Sequence, residues 1–168
     1  MQLKKVTKTE TKIALSILKE SAEWLQEIGS DQWSDILQGE DKHGLAEAVE
    51  RGEVFFFYNN KNQLAGMVAA WKNPTAWDKL LWQEYDPKQF AYYLHRVIIR
   101  PNYRGSGYGK ELLTELKLKF KTEVSELRLD CLARNQKLIQ FYLGNEFVNI
   151  GSASDLYGNE FELFSYKL

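Results

Sequence analysis

One segment constrains the fold more than any other, because an extended stretch, a glycine-rich loop and an amphipathic helix follow each other over residues 91–121. Residues 91–100 have the composition of a strand, and Pro101 marks its end. The loop Arg104-Gly105-Ser106-Gly107-Tyr108-Gly109-Lys110 comes next, and its glycines let the backbone approach a ligand closely. Residues 110–121 then carry apolar side chains at helical spacing. This order predicts an anion site on backbone N–H groups at the helix start, suited to a phosphate or pyrophosphate.

Two phosphate-binding loops of known spacing do not fit this segment. A Walker loop requires glycine at position 104 and serine or threonine at position 111, but the chain has Arg104 and Glu111. A dinucleotide-binding loop needs glycine at position 110 or 112, where the chain has Lys110 and Leu112. A nucleotide-binding protein is therefore an alternative that the spacing disfavours.

The rest of the chain alternates between helical and extended patterns. Apolar residues at helical steps predict a helix over residues 10–28, whose apolar face carries Ile13, Ile17, Ser21, Trp24, Leu25 and Ile28. Two β-rich runs, 54–58 and 63–71, are joined by a polar turn and predict a hairpin. Further strands are predicted at residues 2–6, 127–131, 146–150 and 160–167, and further helices at 45–51 and 135–143. The order predicts a mixed α/β or α+β sheet.

The glycine loop and a second motif together resemble a known family. The stretch Arg104-Gly105-Ser106-Gly107-Tyr108-Gly109 resembles the acyl-CoA signature [Q/R]-x-x-G-x-[G/A] of the GNAT superfamily of N-acetyltransferases, and the strand and helix beside it agree. Downstream, Asn135 to Tyr142 and then Phe147 look like the second CoA segment of that family, although Glu146 stands where the family pattern has glycine. The resemblance covers residues 94–147 well, and the first half of the chain matches only in its order of elements.

The resemblance implies a fold and a cosubstrate. The fold would be a single domain over residues 1–168, with a central, mostly antiparallel sheet that contains a splayed parallel pair and is flanked by helices. The cosubstrate would be acetyl-CoA, whose pyrophosphate is held by the loop amides of Arg104, Gly105, Ser106, Gly107, Tyr108, Gly109 and Lys110. The backbone of Val97, Ile98 and Ile99 would pair with the pantetheine arm, and Asn135 would contact it. A backbone amide near Val97 or Ile98 would polarise the thioester carbonyl.

The resemblance also implies roles in the chemical step. Tyr142 matches the family tyrosine that protonates the departing thiolate. The attacking amine must lose a proton, and the place of a glutamate found in some relatives falls on Tyr93, which is a poor base. His95 lies on the same strand face and carries an imidazole, a common proton acceptor in catalysis, although a structural role is the alternative. Glu84 and Asp86 are further candidates. Cys131 alternates with leucines on a strand, which favours a buried thiol over a covalent acyl-enzyme.

The acceptor is the part that the sequence specifies least. Aromatic residues make up 14% of the chain, and the resemblance implies acceptor walls at about residues 29–43 and 74–90. Those segments hold aromatic and acidic side chains, which together suit a cationic amine; the candidates are Trp33, Trp77, Trp82, Tyr85, Asp31, Asp35, Glu84 and Asp86. The alternative is a solvated loop in which the tryptophans anchor the segments to the core.

Charge and cysteine content exclude other classes. The formal net charge is −1, which argues against nucleic acid as a partner. Cys131, His43 and His95 are too few for a Cys/His zinc site, so no metal is expected. There is no apolar leader or run long enough to cross a membrane, which favours a cytoplasmic protein. The resemblance leaves room for a homodimer, which is common in such families.

The sequence therefore predicts an acyltransferase of GNAT type. Acetyl (acyl) transfer to a primary amine would proceed by direct attack in a ternary complex, and the amine, a small molecule or a peptide, is not identified. The alternative from another class is a catalytically silent acyl-CoA-binding sensor or interaction module of the same fold, which the absence of an obvious carboxylate base keeps open.

Overall fold

The computed structural model of this chain describes residues 1–41, 43–85 and 90–168, so Asp86, a candidate base, lies outside the described residues. The strands within the described ranges are β1 (Gln2–Lys5), β2 (Val54–Tyr58), β3 (Leu64–Trp71), β4 (Ala91–Ile99), β5 (Glu126–Leu132), β6 (Val148–Ser154) and β7 (Glu160–Lys167). The helices there are α1 (Thr11–Glu27), α2 (Ser34–Leu37), α3 (Leu45–Glu50), α4 (Ala76–Leu81), α5 (Tyr108–Phe120) and α6 (Gln136–Gly144).

Contacts between residues divide the chain into two compact units. The first unit comprises residues 1–70 and 95–116, and the second comprises residues 71–94 and 117–168. Strand β4 contributes its first half to the second unit and its second half to the first. The single-domain assignment of the sequence stays a prediction.

In the first unit the strands are hydrogen-bonded in the order β1-β2-β3-β4. β1 pairs with β2 and β2 with β3, both antiparallel, as the predicted hairpin requires. The core is aromatic and aliphatic, because every residue of β2 from Val54 to Phe57 is buried. The aromatic run in this strand is thus core packing.

Helix α1 of this unit buries the predicted face only in part, at Ile17 and Ser21. Its buried residues follow helical spacing and are Ala14, Ile17, Leu18, Ser21 and Ala22. Ile13 and Ile28, which were expected on the apolar face, are 45% and 58% exposed. Ala14, Leu18 and Ala22 complete the buried face instead of these two residues. Gly29 follows the helix with φ +83°, which glycine adopts without strain.

In the second unit the strands are hydrogen-bonded in the order β4-β5-β7-β6. β5 pairs antiparallel with β7, and β7 pairs antiparallel with β6. β4 and β5 are parallel, and their register comprises Ala91↔Glu126, Tyr92↔Leu127 and Tyr93↔Arg128, whereas β4 itself continues to Ile99. The seven strands and their flanking helices thus form a mixed α/β fold, as expected.

Some predicted boundaries move. Helix α5 begins at Tyr108 rather than at Lys110, and β6 begins at Val148 rather than at residue 146. The second shift has a local cause, because Glu146 has φ +67° and cannot continue into a strand there. The side chain of Lys117 steadies this turn by donating hydrogen bonds to the Asn145 carbonyl at 2.7 Å and to Glu146 at 3.2 Å.

Candidate active site

The glycine loop is shaped by two residues with positive φ. Gly105 has φ +76° and Gly107 has φ +79°, and a Cβ at either position would meet open space. Glycine is therefore required by backbone conformation and not by crowding. Gly109 lies inside the first turn of α5, which begins at Tyr108. The amide of Lys110 donates to the Gly107 carbonyl at 3.1 Å, so Gly107 is the N-cap residue that precedes the helix.

Within the described ranges, the backbone N–H groups from Gly105 to Gly109 make no hydrogen bond, whereas those of Arg104 and Lys110, also expected to hold the anion, donate to the carbonyls of Pro101 at 3.3 Å and Gly107 at 3.1 Å. The first N–H groups of any helix lack an intrahelical acceptor, and the helix dipole adds partial positive charge there. Successive free amides in a loop that enters a helix are suited to an anion with several oxygens, such as a pyrophosphate.

The side chains of the loop are used to fix it in place. The Arg104 guanidinium lies 3.5 Å from the centre of the Trp24 ring and donates to the Ile99 carbonyl at 3.0 Å. The Tyr108 hydroxyl accepts from Asn59 at 3.4 Å, and its ring packs near Phe57. These contacts leave the backbone amides, and not the Arg104 guanidinium, as the groups open to a ligand. Lys110 is exposed.

Strand β4 ends at Ile99, and a 3-10 turn at Pro101–Tyr103 connects it to this loop. Ile98 is buried, whereas Val97 and Ile99 are half-buried. A Cβ at position 66 on β3 would overlap the carbonyl oxygen of Ile98, so only glycine allows the strands to approach so closely. Sequence reasoning missed Gly66; a glycine inside a β-rich run is the signal that could have found it.

The middle of β4 carries two consecutive buried polar side chains, His95 and Arg96. The imidazole rings of His95 and His43 lie 5.2 Å apart between centroids. Arg96 has φ +51°, and its guanidinium donates to Asp41 at 3.4 Å and lies 5.0 Å from the centre of the Trp33 ring. The structure therefore places Trp33, an acceptor candidate, against a cation of the chain itself.

In the second unit, Asn135 and Tyr142 belong to the same helix region. The Asn135 side-chain oxygen accepts from the Leu138 amide at 3.1 Å and caps α6, as predicted. The Tyr142 side chain packs among Phe141, Phe147 and Phe164. Burial, helped by Cys131 and Asp130, raises the pKa of the Tyr142 phenol far above its ordinary value. The phenol therefore keeps its proton, and its hydroxyl has no protein hydrogen-bond partner within the described part of the chain.

The aromatic candidates of the second unit are anchored by contacts within that unit. The Trp77 indole donates to Asp130 at 3.3 Å, and the Tyr85 hydroxyl donates to the Ile150 carbonyl at 2.8 Å. Trp82 is 3% exposed, and the Arg128 guanidinium lies 4.7 Å from its ring centre. Glu84 is exposed. The contacts fit the alternative in which tryptophans anchor this segment, and the acceptor roles stay predictions.

Two further candidate residues, Cys131 on β5 and Tyr93 on β4, are buried. Burial raises the pKa of the Cys131 thiol to about 12, and Asp130 and Glu162 add to the shift. Burial also raises the pKa of the Tyr93 phenol against the opposing effect of Arg128, whose guanidinium donates to the Tyr93 hydroxyl at 3.0 Å. Neither residue is therefore ionised near neutral pH.

The described part of the chain holds no group of three or more His, Cys, Asp or Glu side chains arranged to bind a metal ion. None of its described helices combines the length and the apolar character that crossing a membrane demands.

The predicted residues thus fall into two sets. The first unit brings together the loop amides, the end of β4, and the group formed by His43, His95, Arg96, Asp41 and Trp33. The second unit holds Asn135 and Tyr142 on one helix, together with the anchored residues Trp77, Trp82 and Tyr85.

Comparisons with known proteins identify the family of this chain. The model of the acetyltransferase (GNAT) family matches residues 18–145. YesJ, an uncharacterised N-acetyltransferase of Bacillus subtilis (strain 168), is 37% identical over 136 residues, which cover 79% of this chain and 74% of that protein. The crystal structure of a GNAT-family acetyltransferase from Listeria monocytogenes 4b F2365 is 33% identical, has a TM-score of 0.80, and covers 99% of this chain and 94% of that one.

A more distant structure shares the fold. RimL, a ribosomal L7/L12 α-N-protein acetyltransferase solved in complex with coenzyme A, has a TM-score of 0.68 at 14% identity and covers 99% of this chain and 93% of that one. At that identity the likeness concerns the fold alone. The family model and the two nearer relatives decide the assignment: this chain belongs to the GNAT family of acetyltransferases and is an acyltransferase enzyme.

Proposed function

We propose that this acetyltransferase moves an acetyl group from acetyl-CoA to a primary amine by direct attack in a ternary complex. The observation that carries the proposal is the row of unpaired backbone amides from Gly105 to Gly109 at the start of α5. Acetyl-CoA offers a pyrophosphate to those amides, and the GNAT family uses this cosubstrate. Backbone amides can hold this anion without an excess of Lys and Arg, which agrees with a formal net charge of −1.

The second half of β4 is assigned to the acetyl end of the cosubstrate. The pantetheine arm would pair with the backbone of Val97, Ile98 and Ile99, beyond the residues at which β4 and β5 are in register. A backbone N–H near Val97 or Ile98 would donate to the thioester carbonyl oxygen as that oxygen gains negative charge. Such a fixed donor typically contributes ~10²–10³ in rate.

The bond changes balance with one proton donor and one proton acceptor. The nitrogen of the neutral amine attacks the carbonyl carbon, and the C–S bond breaks as the thiolate leaves. Tyr142 would donate its hydroxyl hydrogen to the sulfur as the C–S bond breaks, and the phenolate, strongly basic because burial raises the pKa of Tyr142, would regain a proton from solvent. His95 would accept the amine proton, because imidazole is the side chain that ordinarily titrates near neutral pH.

The acceptor is assigned only as a primary amine of a small molecule or a peptide. Asp35 on α2 is half-buried in the first unit and interacts electrostatically with Arg96. A carboxylate in this position is suited to an ammonium group that arrives protonated. Asn135, as the cap of α6, would contact the pantetheine arm through the backbone that it orders.

Ligand binding tests the proposal before any acceptor is known. Thermal unfolding is measured with acetyl-CoA, ATP and NAD at equal concentrations, and backbone amide resonances of residues 105–109 are followed by NMR in the same titrations. We expect acetyl-CoA alone to raise the Tm and to shift these amide resonances. Stabilisation by ATP or NAD alone would contradict the proposal. Binding of acetyl-CoA without turnover on any amine would favour a silent acyl-CoA sensor.

A further inference from the structure

The side chain of Arg96 connects strand β4 to the segment of residues 29–44. This segment contains α2 and has positive φ at Gly29, Trp33, Gly39 and Gly44. It contacts β4 at two consecutive residues, His95 and Arg96. His43 lies against His95, while Trp33 and Asp41 hold the Arg96 guanidinium.

Arg96 is a buried cation with few partners. Its side chain is 3% exposed, and its Nε is buried without a hydrogen-bond partner among the residues that the structure describes. Burial lowers the pKa of Arg96, and Asp41 and Asp35 oppose that effect. A buried charge of this kind is unfavourable unless it is paired. The pairing with Asp41 is therefore what holds the guanidinium at this position.

The backbone at Arg96 points to the same conclusion. Its φ of +51° lies in the left-handed region, which a non-glycine residue inside a strand rarely adopts. Such a conformation persists where surrounding contacts enforce it. The chain uses arginine where glycine would be unstrained, which indicates that the side chain is needed.

The carboxylate of Asp41, which pairs with Arg96, is itself held by two backbone amides. It accepts from the amide of Leu45 at 2.6 Å and from the amide of His43 at 3.2 Å. These bonds join Asp41 to the start of α3 and orient His43. The Arg96–Asp41 pair thus sets the position of the whole segment and of the imidazole that lies against His95.

We propose that Arg96 is a positioning residue, which fixes residues 29–44 beside His95 and thereby determines which amine reaches the proton acceptor. The inference rests on the proposed function, in which His95 takes the proton from the amine. An amine that transfers its proton to His95 must approach the imidazole that His43 borders. The segment that Arg96 holds therefore forms part of the acceptor side of the site.

Hydrogen exchange tests the fixing role without any acceptor. The full chain is compared with Arg96→Lys, which keeps the charge but not the guanidinium that lies 5.0 Å from the centre of the Trp33 ring, and with Asp41→Asn, which removes the ionic partner. Arg51→Lys is the control, because Arg51 pairs with Glu53 at 2.8 Å in the same unit. We expect amides of residues 29–41, 43 and 44 to exchange at least tenfold faster in Arg96→Lys and Asp41→Asn, and unchanged in Arg51→Lys. Unchanged exchange in both test variants would overturn the proposal.

Kinetics separates positioning from a general loss of structure. For an amine that the wild type acetylates, Arg96→Lys is expected to raise the KM of the amine at least fivefold and to leave the dissociation constant of acetyl-CoA unchanged. It should also alter the ratio of kcat/KM between a small and a bulky amine. Equal losses of kcat/KM for the small and the bulky amine would overturn the proposal. Failure of the proposed function is seen separately, as absence of acetyl-CoA binding by the wild type.

Discussion

The carbonyl oxygen of Ile98 occupies the space that a β-carbon at position 66 would need. Gly66 on β3 and Ile98 on β4 therefore approach each other more closely than a residue with a β-carbon at position 66 would permit. Because the backbone of Ile98 is assigned to the acetyl end of the cosubstrate, this contact links a glycine in the core to the proposed chemistry.

Replacement of Gly66 by alanine tests that link. The added methyl group must displace the backbone of Ile98, and overpacking of this kind costs about 1–3 kcal/mol. We expect a lower Tm and a weaker affinity for acetyl-CoA, measured by calorimetry. Gly144→Ala is the matched control, because a Cβ there meets nothing within 4 Å and its φ is not positive. Unchanged acetyl-CoA affinity in Gly66→Ala would refute the assignment of Ile98.

The glycine loop offers a comparison at equal strain. Gly107 and Gly39 have φ of +79° and +81°, and a Cβ at either would lie in open space. Alanine at each should therefore destabilise the chain by a similar ~1–2 kcal/mol. Only Gly107→Ala should weaken acetyl-CoA binding, since only that position shapes the free amides. Equal affinities of the two variants for acetyl-CoA would mean that the loop does not bind it.

Tyr142→Phe removes the proposed proton donor and keeps the ring. We expect kcat to fall roughly 10²–10⁴-fold, with little change in the dissociation constant of acetyl-CoA. Because burial raises the pKa of Tyr142, wild-type activity should show no loss from phenol ionisation between pH 8 and about pH 10, the ordinary tyrosine pKa. Phe141→Leu, one position earlier on α6, serves as the control. A kcat of Tyr142→Phe equal to that of the wild type would exclude the donor role.

Experiments on Cys131 distinguish direct transfer of the acetyl group from transfer through a covalent acyl-enzyme. With its pKa raised to about 12, the thiol is almost entirely protonated at pH 8 and is a poor nucleophile. We expect Cys131→Ala to retain kcat and the intact chain to react slowly with thiol reagents. Mass spectrometry of the enzyme quenched during turnover should show no acetylated cysteine. An acetyl adduct on Cys131 that forms and decays at the rate of turnover would contradict direct attack.

Glu126 predicts how stability depends on pH. Burial would raise the pKa of this carboxyl, but hydrogen bonds from Ser165, Arg128 and Lys167 outweigh it and hold the pKa below its ordinary value. The stabilisation is thus complete above the unfolded pKa of ~4.3 and is lost as pH falls through the folded pKa. Glu126→Gln leaves Arg128 buried without its counter-ion, which costs about 3–5 kcal/mol. Denaturant unfolding at pH 7 and pH 4 should show a smaller loss on acidification in the variant than in the wild type.

A control for that measurement is available on the same strand as Ser165. Glu160 on β7 is exposed, and Glu160→Gln should leave the free energy of unfolding nearly unchanged at both pH values. If Glu126→Gln behaved like Glu160→Gln, the buried charge cluster would not be a source of stability.

The sequence predicted the parts of the fold that depend on local pattern. The glycine loop, the Asn135 cap and the β2–β3 hairpin are each specified by residues adjacent in the chain, and all are confirmed. The buried face of α1 was predicted correctly at Ile17 and Ser21 but not at Ile13, which is exposed while its neighbour Ala14 is buried. Size and hydrophobicity could not distinguish these neighbours without the tertiary contacts.

The candidate site was less accessible to sequence reasoning. Arg96 pairs with Asp41, which lies 55 residues earlier in the chain, and no local pattern encodes such a pair. The positive φ of Arg96 was not predicted either. Trp33 and Trp82 were expected to meet a cationic amine, yet an arginine of the chain lies against each ring. The aromatic residues were recognised, but their partners depend on the folded chain.

Amine-dependent release of CoA thiol tests the central proposal most directly. The purified chain is incubated with acetyl-CoA and, in turn, with polyamines, amino acids, aminoglycosides and peptides, and free thiol is measured against an amine-free control. The account predicts that at least one primary amine increases thiol release above hydrolysis and gains one acetyl group by mass spectrometry, and that Tyr142→Phe abolishes the increase. Tight binding of acetyl-CoA with no amine-dependent release across the whole panel would contradict it.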